Sequence, residues 1–298
     1  MVRIQLELDL GYEVLTDNAD FFFFIHAAHT PHQTVLAENL VVTSPSAHWE
    51  IILDGQPPAQ RCLRVSAATG PLRVQYSATV QIQHILEEPS RIAETPVHQL
   101  PQEVLHYIYP SRYCQSDLLS NFATREFGNM PSGYSRVLGI CDWVGQHVEY
   151  RYNSSNSQTS AYDTLVERVG VCRDFAHLMI AICRALNMPA RIVTGTDYGA
   201  DHQLGPPDFH AYVEVFLGHR WYLFDPSGVA TPMGMVRLAT GRDAADVAFA
   251  TIFGGVSSEQ PIIKDFAVTD PFNEWEWPFH TSLALSTDEL SPAPLNRC

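Results

Sequence analysis

Apolar residues fall at every second position over residues 4–10, and again at Leu72, Val74, Tyr76, Ala78, Val80 and Ile82. That is the period of a strand with one buried face. Between these two stretches, residues 21–27, 35–42 and 48–53 also read as strands, punctuated by Pro31, Pro45, Asp54-Gly55 and Gly70-Pro71. Short strands at this spacing, with no helical run among them, predict a β-sandwich of about a hundred residues, placed at residues 1–95. Residues 96–131, with Pro96, Pro101, Pro110 and Pro131, read as a connector packed along a second domain.

The period then changes. Val137, Leu138, Cys141, Val144 and Val148 keep helical spacing, residues 150–160 are polar and loop-like, and residues 161–169 form a short helix. Gly170 opens a turn. Beyond it Phe175, Leu178, Met179, Ile182, Ala185 and Leu186 line one helical face, while Ala176, Ile180 and Cys183 make the other almost as apolar. Such a helix is expected to be buried nearly all round, and Asn187 and Pro189 end it. Residues 190–196 read as a strand and 197–208 as a flexible acidic loop. Residues 210–217 and 220–225 form a hairpin about the two-residue turn Gly218-His219. A last strand is expected over 261–268. This second domain is placed at residues 132–270, and the tail of residues 271–298 carries no functional reading.

With 46% hydrophobic residues the chain is globular. Its formal charge of −15 repels phosphate backbones and anionic lipid, so neither nucleic acid nor a membrane surface is an expected partner. No stretch approaches the length of a transmembrane helix. The N-terminus alternates like a strand and lacks the apolar core of a signal peptide. Six scattered cysteines lack the paired spacings of a zinc ribbon or disulfide scaffold, which points to a reducing cytoplasm.

The chemistry starts at Gly170-Val171-Cys172-Arg173-Asp174, where a thiol sits in the first turn of the buried helix. Unpaired N–H groups and the positive end of the helix dipole favour thiolate there. Arg173 acts in the same sense, and Asp174 acts against it unless it caps those N–H groups. A cysteine nucleophile needs a base, and the base a partner that fixes its tautomer. The hairpin supplies both. If the turn sets Leu217 opposite Arg220, Tyr212 lies opposite Asp225 and His210 opposite Ser227. His210 and Asp225 then share a face as diagonal neighbours, about 7–8 Å apart at the backbone. A one-residue slip would separate them. The N–H of Cys172 is one oxyanion donor, and Tyr150, Tyr152 and Asn153 are candidates for a second.

The segments around Cys172, Pro189 to Gly195, Asp208-Phe209-His210-Ala211-Tyr212 and Trp221 to Pro226 closely resemble the transglutaminase-like superfamily. The likeness is to its bacterial two-domain members, transglutaminase-like enzymes or cysteine proteases with an N-terminal β region. It extends to residues 111–117 and 241–246 and stops short of the last thirty or so. The resemblance implies an α+β protein with a papain-like core, its nucleophile helix packed on an antiparallel sheet. It also implies Cys172 as nucleophile, His210 as general base and acid, Asp225 as orienter, and an acyl-thioester intermediate. No cofactor or metal is expected. The substrate the resemblance implies is a peptide or protein carrying an amide, a glutamine side chain among the options.

Three functions follow in order of preference: a cysteine-dependent amide hydrolase, an amine transferase using the same acyl-enzyme, and a non-catalytic binding module on the same scaffold. A calcium-dependent mode lacks its loop of spaced acids about a central glycine. A zinc site of Cys172, His177, His202 and His210 lacks compact ligand spacing, and His177 reads as a packing residue. His202 could gate access from the loop. His26, His29 and His32 read as an exposed strand end and loop.

Overall fold

The computed structural model describes residues 1–53, 60–201, 203, 205–269 and 275–289, so Asp54-Gly55, His202 and Cys298 lie outside the described residues. In chain order come β1 (Val2–Phe23), β2 (Gln33–Thr43), β3 (His48–Leu53), β4 (Arg61–Ile82), β5 (Ile85–Glu87), α1 (Ser116–Phe127), α2 (Tyr134–His147), β6 (Glu149–Tyr150), α3 (Ala161–Glu167), β7 (Val169–Gly170) and α4 (Cys172–Ala185). They are followed by β8 (Ala190–Thr196), β9 (Phe209–Leu217), β10 (Arg220–Phe224), β11 (Ala239–Gly241), α5 (Ala244–Val247), β12 (Ala250–Phe253), β13 (Val256–Ser258), β14 (Ile262–Ala267), β15 (Ala284–Ser286) and β16 (Asp288–Glu289). The protein is α+β: an antiparallel β region, then a core of helices with an antiparallel sheet in the order β11-β8-β9-β10-β16. No helix among the described residues is long and apolar enough to cross a membrane.

The chain divides into two compact units that interleave in sequence. The first holds Met1–Gln83, Ile192–Tyr212 and Gly228–His280, the second His84–Arg191, Val213–Ser227 and Thr281–Cys298.

In the first unit the expected alternation appears as two long strands. β1 runs unbroken past residues 4–10 to Phe23, pairing with β4 along its length and shifting register between Val14 and Asn18. The shift is an irregularity that lets one strand bend without breaking its ladder. β2 and β3 flank β4, and β12, β13 and β14 return to pair with β1, giving one seven-stranded sheet. Its buried face carries Ile4, Leu6, Leu8, Leu10, Val74, Val80 and Ile82, with Tyr12, Phe21 and Phe23 in ring contact.

His26 departs from the sequence reading. It is not exposed: with 1% of its surface accessible it lies edge-on to the Tyr76 ring, 4.7 Å away, because the chain after β1 stays buried from Ile25 to Ala28. Beside it Arg61 binds both Glu38 oxygens at 2.6 and 2.7 Å and the Ala27 carbonyl at 2.7 Å, and the Tyr76 hydroxyl donates to Glu38. Neither imidazole nitrogen of His26 has a hydrogen-bond partner among the described residues. Burial, reinforced by the Arg61 charge, lowers its pKa to about 4.

A histidine whose folded pKa lies below its unfolded value of about 6.5 leaves the unfolded chain binding more protons between those two values. Stability is therefore lost as pH falls from about 6.5 towards 4, by roughly 3 kcal/mol from this group. His26→Phe, which keeps the ring contact, is expected to remove that loss. Urea melts of both proteins at pH 7 and pH 4.5 check it, and an equal acid loss in the two would exclude His26 as the source.

In the second unit α1, α2 and α3 pack on α4. α1 lies inside the stretch read as a connector. Its buried Leu119, Ala123 and Phe127 recur every fourth residue, a helical stripe that the surrounding prolines obscured. Tyr134 of α2 packs on Tyr222 and Phe224 of β10, setting helix against sheet. The described part of the tail joins the fold: β15 pairs with β5, and β16 extends the sheet beside β10.

Candidate active site

α4 meets its expectation, for every residue from Asp174 to Arg184 is buried. It ends in a Schellman arrangement: Asn187 takes a positive φ of 64°, its N–H reaches Arg184 O, and the Met188 N–H reaches Cys183 O. Arg184 ties this end down through the carbonyls of Ala190 and Tyr109 and the Ser111 hydroxyl.

Cys172 is the first residue of α4 and half-buried. Asp174 accepts the Val171 N–H at 2.9 Å, the backward half of a capping box, and valine has no side-chain oxygen to complete it. The same carboxylate pairs with Arg173, which also donates to Ser155 Oγ and Asn156 O. The two charges set against each other in the sequence therefore pair with one another beside the thiol.

Gly170 serves this cap. It ends β7, paired in parallel with Tyr150 of β6, so the Tyr150–Asn153 stretch leaves from beside the turn that delivers Cys172. A Cβ at Gly170 would stand 2.7 Å from Asp174 Cβ. That carbon is fixed by its own backbone and cannot swing aside. Gly170→Ala is expected to destabilise the protein by about 1–3 kcal/mol, read as a melting temperature lower by several degrees; an unchanged melt would show that the turn relaxes freely.

Of the other thiols, Cys114, Cys141 and Cys183 are buried. Burial holds Cys141 and Cys183 far above the ordinary thiol range and raises half-buried Cys62 as well. His177 is fully buried and stacks on Tyr113, ring centroids 5.0 Å apart. Among the described residues no group of three or more His, Cys, Asp or Glu is placed to hold a metal ion.

The β9–β10 hairpin has the register its turn implies, from Leu217 opposite Arg220 to Val213 opposite Phe224. Gly218 alone takes a positive φ, 59°, in the turn. Asp225 follows directly on β10. Its Oδ1 accepts the Ser227 N–H at 3.0 Å and the Ser227 hydroxyl at 2.6 Å, an Asx-type turn that fixes the carboxylate. Pro226 O lies 3.1 Å from where a Cβ on Gly145 of α2 would stand. Asp225 and Cys172 belong to the second unit and His210 to the first.

His210, second residue of β9, is 3% exposed, with its ring 4.7 Å from that of Tyr212. Just before it the loop closes on itself: the Asp197 N–H meets Asp208 O, and Asp197 Oδ1 accepts the Asp208 N–H at 2.9 Å. Burial pushes the Asp197 carboxyl up to about 6, while the Asp208 N–H and the His210 charge pull it down. Asp197 escaped the sequence reading because only the loop closure brings it to His210.

Residues 121–226 match the transglutaminase-like superfamily, and residues 2–103 match the bacterial transglutaminase N-terminal domain. The solved structure of a candidate cysteine protease from Cytophaga hutchinsonii is 39% identical, covering 96% of this chain and 98% of its own, with a TM-score of 0.85. The chain belongs to the transglutaminase-like superfamily. An uncharacterised protein of Mycobacterium leprae is 25% identical over 226 residues, 72% of this chain and 79% of the relative. One from Mycobacterium tuberculosis is 34% identical over 109 residues, 33% of this chain and 35% of the relative. The superfamily match takes in Cys172, His210 and Asp225, whereas β12, β13 and β14 lie beyond both matched segments. Residues 241–246 lie beyond both matched segments as well; there Arg242 pairs with Asp246 and Asp243 caps α5.

Proposed function

We propose that this member of the superfamily is a cysteine-dependent amide hydrolase acting on a peptide or protein, with Cys172 as nucleophile, His210 as base and acid, and Asp225 as orienter. The observation that carries the reading is a half-exposed thiol on the first residue of a buried helix, its neighbouring charges already paired off. The overall likeness to a candidate cysteine protease supports it.

In the first step the Cys172 sulfur attacks the amide carbonyl carbon while His210 takes the thiol proton. The Cys172 N–H, at the open end of α4, stabilises the oxyanion, a contribution of about 3 kcal/mol where such donors are removed by mutation. As the C–N bond breaks, the imidazolium returns the proton to the leaving nitrogen and a thioester remains. Water, deprotonated by His210, then attacks the thioester, giving carboxylate and free thiol. Asp225, held by Ser227, keeps one tautomer of the imidazole and stabilises its charged form.

Incubating the protein with glutamine-containing peptides and a primary amine, followed by mass spectrometry, tests this reading. Backbone cleavage or deamidation is the expected result. Amine incorporation would assign the thioester to transfer, and unchanged peptides with full occupancy of a binding site would leave a binding module.

A further inference from the structure

His210 and Tyr212 stand two residues apart on β9, so their side chains project from the same face of the strand. Their ring centroids are 4.7 Å apart and the planes meet at 69°, an edge-on contact of the kind ring pairs prefer to a face-to-face sandwich. Tyr212 is a fixed wall in this contact. None of its surface is accessible, and its hydroxyl donates at 2.7 Å to the carbonyl of Thr196 on the neighbouring strand β8. Its Cε2 lies 3.5 Å from where a Cβ on Gly195 would stand, so the ring rests against the β8 backbone. The ring is therefore held at both ends, by the strand it grows from and by the strand its hydroxyl reaches.

The main chain on the other side of His210 is fixed as well. Asp197 closes on Asp208 through two hydrogen bonds, and the Asp208 carboxylate accepts the Phe209 N–H at 2.7 Å. What freedom is left to the imidazole is rotation about its own side-chain bonds, and an immobile ring beside it limits that rotation. A general base acts only from the orientation in which it reaches the proton, and a misplacement of about 1 Å costs about a hundredfold in rate. We propose that Tyr212 is a positioning residue for His210, its anchored ring holding the imidazole in its working orientation before substrate arrives. The consequence for turnover rests on the hydrolase reading, whereas the fixed orientation of the ring does not.

Three full-length proteins test this: the unmodified chain, Tyr212→Met, which replaces the ring by a flexible apolar side chain, and Tyr212→Phe, which keeps the ring and loses only the bond to Thr196. The orientation of His210 is read without substrate, by NMR of protein carrying isotope-labelled histidine, with the His210 signals assigned by their loss in His210→Gln. A single set of Overhauser contacts between the imidazole and the ring at position 212 is expected in the unmodified protein and in Tyr212→Phe. Averaged, broadened imidazole signals are expected in Tyr212→Met. Turnover is read on a peptide that the incubation described above shows to be cleaved or deamidated. Per reactive thiol counted by alkylation, kcat should fall about a hundredfold in Tyr212→Met and about three- to tenfold in Tyr212→Phe, with KM within about twofold throughout.

A residue that served packing alone would lower the melting temperature and leave kcat per thiol unchanged, and that result overturns the proposal. So does a His210 ring that stays sharp and singly oriented in Tyr212→Met. If Tyr212→Met fails to fold, Tyr212→Phe decides, and turnover equal to that of the unmodified protein overturns the proposal. Absence of turnover by the unmodified protein would remove the hydrolase reading, while the NMR comparison would still decide whether Tyr212 sets the His210 ring.

Discussion

Cys172→Ala is expected to abolish turnover, lowering kcat by roughly four orders of magnitude or more, while the melting temperature stays within a degree or two. The two readouts separate a nucleophile from a core residue. A half-exposed side chain at the start of a helix contributes little packing, about 0.5 kcal/mol or less. Removing a nucleophile leaves only binding and oxyanion stabilisation to speed the reaction. Alkylation gives an independent view of the same thiol. Iodoacetamide at neutral pH should modify Cys172 before the other described cysteines, since Cys114, Cys141 and Cys183 are buried, and burial raises the thiol of Cys62. Peptide mapping resolves each cysteine. Labelling of Cys62 at an equal or faster rate would count against an activated thiolate, and a large stability loss in Cys172→Ala with no activity to lose would return Cys172 to the core.

Arg191→Met should cause the largest loss of stability, about 3–5 kcal/mol. Arg191 is 4% exposed and binds Glu214, at 2.8 Å through Nε, together with Asp288; its guanidinium lies 3.9 Å over the Trp221 ring. Glu214 and Asp288 are as deeply buried. Burial alone would lower the Arg191 pKa, but the two carboxylates outweigh it and hold the pKa above its ordinary value. Without the cation, two anions remain buried together, and the cost is their desolvation rather than the lost attraction. The triple replacement Arg191→Met, Glu214→Gln and Asp288→Asn should therefore recover most of the loss. Chemical denaturation of the three proteins checks it, and a triple variant no more stable than the single one would mean that packing on Trp221, not charge, is the source. Glu214 lies four residues beyond His210 on β9, so the cluster also bears on the strand that carries the His210 imidazole.

Local periodicity and turn chemistry determined a good part of this protein in the sequence alone. The alternation of β1 and β4, the all-round burial of α4, its end at Asn187, the strand at residues 190–196 and the hairpin register about Gly218-His219 need only neighbours within a few residues, and all are present. The position of Cys172 at a helix terminus is of the same kind. Features that join distant stretches were decided only by tertiary structure. The pairing of β12, β13 and β14 with β1, the burial of His26 beside Tyr76 and the Arg191–Glu214–Asp288 cluster each bring together residues far apart in the chain. No period or spacing records such pairings, because they are selected by the fit of whole surfaces and by the need of buried charges to find partners, wherever in the chain those partners lie.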